Sequence, residues 1–333
     1  VDGVSWRILI EDLQTALQQL AAGESIALPA KTTAFKYWAE QLCAYARQPE
    51  CREELAFWLD TGAPMPLPRD FDGAGATNTV GQAQTLATTL TVEESRALLE
   101  DVPAALNTQI NDVLLAALLE TIGEWTGQTS LLVDMEGHGR EEIIPDTDLS
   151  RTVGWFTTRY PVALRKEGAS SSLETVRVVK DQLRRIPQRG IGYGLLRYLG
   201  DQDSVQQLQN APQPDISFNY LGQIGSFGST LLGWSQESSG PARSPAMLRR
   251  HALELNGFIT DGRLHLAWTY GATLHRQATI ERLAERFTAV LRAIIAQARE
   301  QGAHGFTPMD FPQARLNQQQ LDAFLARLEE TQQ

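Results

Sequence analysis

The chain is poor in the residues that build metal and disulfide sites, with two cysteines, five histidines and four methionines in 333 residues. Cys43 and Cys51 lie in one helical stretch without a matching Cys/His pair, which fits neither a zinc site nor a disulfide framework. Both read as reduced thiols, and no metal site is expected. Apolar runs of about 18 residues, the minimum for a membrane helix, are missing. A basic-then-apolar leader is missing too, so the sequence points to the cytoplasm and to no membrane partner. Positive charge is also in deficit, with 29 Lys and Arg against 40 Asp and Glu and a net charge of -11. That balance excludes a nucleic-acid partner, which needs a basic footprint, and leaves any anionic partner to a local patch.

What is present is a chain of 42% hydrophobic content, enough for two units of ordinary domain size. Residues 4–20 carry a helical apolar stripe that Gly23 stops. Residues 34–59 hold two more helical segments separated near Pro49, and 61–77 read as a surface loop. A strand at 85–90 precedes a helix at 92–106 capped by Thr91, and 111–125 read as a buried helix capped by Asn107 or Thr108. Further on come an amphipathic helix at 171–186, a short helix at 193–199 and a strand at 215–221. Residues 250–259 and 263–270 form a hairpin about Asp261-Gly262, a dipeptide suited to the positive φ angles of tight turns. A long helix at 278–298 closes the body, and 305–328 look like a tail or linker with one short helix.

The densest chemistry lies in Glu136-Gly-His-Gly-Arg-Glu141 and, ten residues on, Arg151-Thr-Val-Gly-Trp-Phe-Thr-Thr-Arg-Tyr-Pro161. Residues 130–135 read as an apolar strand, so Glu136 stands at a strand end where glycines permit close approach. Plainer readings exist. Glu136 and Glu141 could pair with Arg140 or Arg151 as strand-end carboxylates, and His138 is best explained as a loop-bonding residue. Asp2 could cap the first helix or pair with an arginine. Trp155 and Phe156 are most simply core aromatics. Arg177, Lys180 and Arg184 share a helix face that is either solvated or a phosphate-attracting patch. The glycines of 190–194 suit a tight turn rather than a dinucleotide fingerprint.

Five ordered segments together resemble the epimerization domains of nonribosomal peptide synthetases, members of the condensation-domain superfamily. These are Asn111-Asp-Val-Leu-Leu-Ala-Ala117, Glu136 to Glu141, Arg151 to Pro161, Pro187-Gln-Arg-Gly-Ile-Gly-Tyr-Gly194 and Phe218-Asn-Tyr-Leu-Gly-Gln223. Thr307-Pro-Met-Asp-Phe-Pro312 is similar to the linker that follows such domains. Val1-Asp-Gly-Val-Ser-Trp6 resembles the end of the family's HHxxxDGxSW motif, with Asp2 and Gly3 as its remnant.

The resemblance implies an α/β (α+β sandwich), chloramphenicol-acetyltransferase-like two-lobe fold with the first lobe incomplete. Residues 1–90 would be its remainder, 91–303 the second lobe and 304–333 a linker toward the next module. It implies inversion of the α-carbon of a carrier-bound L-aminoacyl or peptidyl thioester. The substrate would ride on the 4'-phosphopantetheine of an upstream peptidyl carrier protein, and the domain itself would bind no cofactor. A condensation domain or further module would follow. Glu136, Asn219 and Tyr220 would be catalytic, although neighbours on a strand face opposite ways and only one of the last pair can easily enter a given channel. Trp155, Gly192 and Tyr193 would meet the substrate, with His138, Arg140 and Arg151 structural. The motif's two histidines lie outside these 333 residues, so the chain alone is expected to be inactive. Alternatives are a condensation domain and a carrier-docking fragment without catalysis.

Overall fold

The structure, a computed structural model, describes residues 1–62, 65–71, 77–223, 237, 240–301, 306–314, 320–321 and 323–324. The expected loop at 61–77 and the tail helix lie partly outside them.

Eleven helices and six strands are formed by the described residues. Helix α1 (Gly3–Ala21) starts behind Asp2, whose side chain accepts from Ser5 N. Then come α2 (Phe35–Tyr45), α3 (Pro49–Glu53) and α4 (Leu55–Leu59), three short helices where two were expected. Strand β1 (Ala83–Thr89) leads to α5 (Val92–Leu99) behind a Thr91–Glu94 capping box. The expected single helix over 92–106 breaks at Glu100, and α6 (Asp101–Leu106) continues it. Pro103 accounts for the break, since its ring would clash with the carbonyl of Leu99 in a continuous helix. Asn107 adopts a left-handed conformation that ends α6. The buried helix α7 (Ile110–Thr126) is therefore capped by Gln109, whose N–H donates to Asp112, rather than by Asn107 or Thr108.

Strands β2 (Ser130–Gly137) and β3 (Thr158–Arg165) follow, then α8 (Ser172–Arg184), α9 (Ile191–Leu199), α10 (Gln202–Asn210) and β4 (Ile216–Gln223). Gly190 to Gly194 open α9 instead of making a free turn. Strands β5 (Leu253–Thr260) and β6 (Arg263–Gly271) form the expected hairpin, and Asp261 and Gly262 have φ of 49 and 70. Helix α11 (Gln277–Gln301) ends the body.

The strands form one six-stranded sheet in the order β1-β6-β5-β4-β2-β3. Register builds the core: Leu86 pairs with Trp268, Trp268 with Leu255, Leu255 with Phe218, Phe218 with Met135, and Met135 with Tyr160. This transverse apolar row joins one large buried cluster with α7, α8 and α11. Each fully buried side chain in it contributes about 2 kcal/mol. Residues of opposite parity, among them Asp134, Glu136, Ser217, Asn219, Glu254 and Asn256, make the other face polar. The expected boundary at residue 90 does not divide the sheet, because β1 pairs with β6 from Ala83 to Thr89.

Two surface expectations change. Lys180 is fully buried, donating to the Leu106 carbonyl at 3.0 Å and to Asp310 Oδ2 at 2.7 Å. Arg184 also binds Asp310. The helix face read as a solvated or phosphate-attracting patch instead holds the chain's own tail. Thr307, 2% exposed, donates to Asp181 at 2.5 Å, so this part of the segment read as linker packs on α8. Burial, reinforced by Arg184, pushes the Lys180 amine down to about 8. Replacing Asp310 by Asn removes the carboxylate beside a buried cation. It should cost about 3 kcal/mol in chemical denaturation, far more than an exposed tail residue would.

Helix α1 buries Ser5 and Ile8 but leaves Trp6, Leu9, Leu13, Leu17 and Leu20 between 39% and 58% exposed, at helical spacing. A continuous apolar stripe of this kind promotes association in water. The 333-residue chain on its own should self-associate, and Leu13→Lys with Leu17→Lys should raise its monomer fraction in sedimentation velocity.

Candidate functional site

Parallel pairing of β2 with β4 sets Met135 beside Phe218, and hence Glu136 beside Asn219 on the polar face. The Asn219 amide donates to Glu136 Oε2 at 2.8 Å. Both belong to the open surface, with Glu136 exposed and Asn219 half-buried. Tyr220 points the other way, packing against the core, and burial raises its hydroxyl above its usual value. Of the two strand neighbours, the structure brings Asn219 to Glu136 and leaves Tyr220 in the packing.

The loop after Glu136 turns because Gly139 has φ of 68, and a Cβ there would lie 1.8 Å from the Phe156 carbonyl oxygen. Only glycine fits this close approach. The turn sends Arg140 inward, where Nη1 donates to the carbonyls of Leu149 at 2.7 Å and Thr152 at 2.8 Å. Its Nη2 donates to Asp2 Oδ1 at 3.2 Å and Ser5 Oγ at 3.0 Å, and the guanidinium lies 3.8 Å over the Phe156 ring. Asp2 also accepts from Ser5 N at 2.8 Å and Phe156 N at 3.1 Å. Burial alone would raise the Asp2 carboxyl. The hydrogen bonds from Ser5 and Phe156 and the Arg140 charge outweigh it and hold the group below its usual range.

The ion pairs differ from the simple strand-end reading. Arg140 takes Asp2 rather than Glu136 or Glu141, and Arg151 reaches back to Glu11 and Asp12 on α1. Glu141 is buried and lies 3.6 Å from Arg189 and 3.4 Å from His138 Nδ1. His138 accepts the Arg140 N–H at 3.2 Å, a bond within the loop. Trp155 is 63% exposed and so is no core aromatic, whereas Phe156 is 5% exposed and stacks edge-on with Phe35. Gly192 is buried against the Glu54 carboxylate and Tyr193 against Trp58, so the structure places both in packing rather than at an open surface. Gly3 begins α1 with open space around it.

A second charged group lies two residues back along β2. Asp134 is 4% exposed, accepting from Arg159 Nη2 at 2.5 Å, with His251 Nε2 3.0 Å away. Reading this strand as simply apolar misses Asp134. A carboxylate inside Ser130–Met135 is itself the available signal, because buried charge is rarely left without a partner.

A family model described as Condensation domain matches residues 1–316. The chain belongs to the condensation-domain family. Its curated relatives are nonribosomal synthases: it is 46% identical to a linear gramicidin synthase protein of Brevibacillus parabrevis, over 98% of this chain and 4% of that one. It is 37% identical to surfactin synthase subunit 2 of Bacillus subtilis (strain 168), over 99% and 9%. The chain thus spans a small part of these relatives. Among solved structures it resembles the epimerization domain from the third module of tyrocidine synthetase B. That match has a TM-score of 0.81 and 38% identity, covering 90% of this chain and 67% of that one. The first condensation domain of the CDA synthetase matches at 0.62 and 18%, over 89% and 62%, a likeness of fold. The condensation-domain fold is chloramphenicol-acetyltransferase-like.

Asp2→Ala removes the helix cap and strands the Arg140 charge, at a cost on the order of 3 kcal/mol at pH 7. Because the folded carboxyl lies below its unfolded value, its contribution is present above about pH 4 and fades as pH falls through the folded value. The stability gap between the parent and Asp2→Ala, measured by chemical denaturation, should therefore narrow toward acid.

Proposed function

We propose that the chain is part of an epimerization domain that inverts the α-carbon of a carrier-bound L-aminoacyl or peptidyl thioester. The observation that carries this reading is the Asn219 amide bound to the exposed Glu136 carboxylate at 2.8 Å. The 38% identity to a solved epimerization domain supports it. The chemistry is redox-neutral. A base removes the α-proton, the electron pair moves onto the thioester carbonyl as an enolate, and an acid on the opposite face returns a proton to carbon. Glu136 is one of these two groups. Asn219 engages Oε2 and fixes the carboxylate plane, leaving Oε1 to exchange the proton.

The opposing group comes from the histidine motif that Asp2 and Gly3 resemble in part. Asp2 is bonded to Arg140, so whatever precedes Val1 emerges beside the Glu136 loop. The substrate arrives on the 4'-phosphopantetheine of an upstream peptidyl carrier protein in the cytoplasm and passes to a downstream condensation domain or module. Trp155, exposed next to this loop, offers it an apolar contact.

A second reading, peptide-bond formation between two carrier-bound substrates, is favoured by the family model alone. The two are separated by giving the full-length synthetase an L-loaded carrier in deuterated water. α-Deuterium incorporation with D product supports epimerization, and dipeptide formation without exchange reverses the ranking. Glu136→Gln should lower exchange by about 10²–10⁴-fold, the usual worth of a positioned acid/base group. Unchanged exchange would remove Glu136 from the reaction.

A further inference from the structure

Glu136 is surrounded by cations, yet among the described residues its side chain is engaged by a neutral amide. Arg159 is the sharpest case. It is the direct cross-strand partner of Glu136 in the β2–β3 ladder. Opposed side chains on an antiparallel pair start about 5 Å apart at Cβ, so an Arg–Glu ion pair would be the default. Arg159 turns instead along the strand to Asp134 at 2.5 Å.

We propose that Asp134 is a positioning residue that draws Arg159 away from Glu136 and so keeps that carboxylate a competent base. The inference rests on the epimerization reading of Glu136. Asp134 wins the competition because it is buried, where a charge pair is less screened by water than one at the exposed Glu136. Burial alone would raise the Asp134 carboxyl, but the His251 hydrogen bond and the Arg159 and Arg250 charges outweigh it and hold it ionised. With its proton on Nε2, His251 donates to the oxygen that Arg159 binds, and His251 is itself 3% exposed and fixed in place.

Other charges nearby follow the same pattern. Asp134 is faced by Arg159 from β3, His251 and Arg250 ahead of β5, and Tyr193 from α9. Around Glu136 stand Arg159 from β3, Asn219 from β4, and His138, Arg140 and Glu141 in its own loop, with Arg189 opposite Glu141. Arg140 is committed to Asp2 and Arg189 to Glu141. Releasing Arg159 would therefore add a cation whose backbone position already matches Glu136.

An arginine paired with a carboxylate weakens it as a base by about 1–3 pKa units. In the full-length synthetase with an L-loaded carrier in deuterated water, Asp134→Asn should lower α-deuterium exchange about tenfold and move its acid limb about one pH unit lower. Adding Arg159→Met to Asp134→Asn should restore both. A rate loss without movement of the acid limb, or a loss that Arg159→Met does not restore, overturns the proposal. Arg159→Met alone, which needs no folded Asp134→Asn variant, should leave exchange within about twofold of the parent. A larger loss means that Arg159 acts on the substrate and also overturns it. Glu136→Gln run in parallel separates the two levels. Undiminished exchange there removes the base and this inference together, whereas lost exchange with no response to Asp134→Asn removes the positioning role alone.

Discussion

The buried contact between Arg140 and Asp2 is the constraint on which the site depends. A guanidinium with its side chain 9% exposed must have its donors met, and here they are met by two carbonyls, a carboxylate and a hydroxyl drawn from three separate stretches. The start of α1, the loop after β2 and the segment before β3 are thereby fixed to one another. Removing any one partner leaves buried charge or an unmet donor, so the three move together or not at all. Gly139 is the backbone condition for this arrangement, since no other residue lets the loop pass the Phe156 carbonyl.

The second condition is register. Three parallel residue pairs between β2 and β4 set Glu136 beside Asn219, and the apolar row from Leu86 to Tyr160 locks them. A slip of one residue would turn Phe218 and Met135 to the polar face and carry Glu136 into the core. The energy that holds the sheet together is thus the same energy that places the carboxylate. Function on this face draws on packing on the other.

The sequence made legible what depends on local chemistry. The Asp261–Gly262 turn, the Thr91 cap and the stripe of α1 are each written in a few neighbouring residues. Strand β3 was not, because Pro161 argues against a strand; it is tolerated where β3 forms the edge of the sheet. Helix α10 carries only Ser204 and Leu208 as buried residues, too sparse a stripe to read. Glu136 could be singled out from its motif, but the division of labour between Asn219 and Tyr220 needed the sheet's two faces. Arg177, Lys180 and Arg184 share a helical face in sequence, yet only the fold shows that Asp310, far along the chain, occupies two of them.

A carboxylate acting as a base must be placed among groups that hold substrate and polarise carbonyls without itself being neutralised. Around Glu136 the chain meets that demand by pairing, giving Arg140 to Asp2, Arg151 to Asp12, Arg189 to Glu141 and Arg159 to Asp134. Each pair tightens a loop or strand end, and each also withdraws one positive charge from the carboxylate. An acidic composition supplies the surplus that makes such pairing possible. The net charge of -11, which at first only excluded nucleic acid, is thus consistent with a site in which anions outnumber the cations available to quench them.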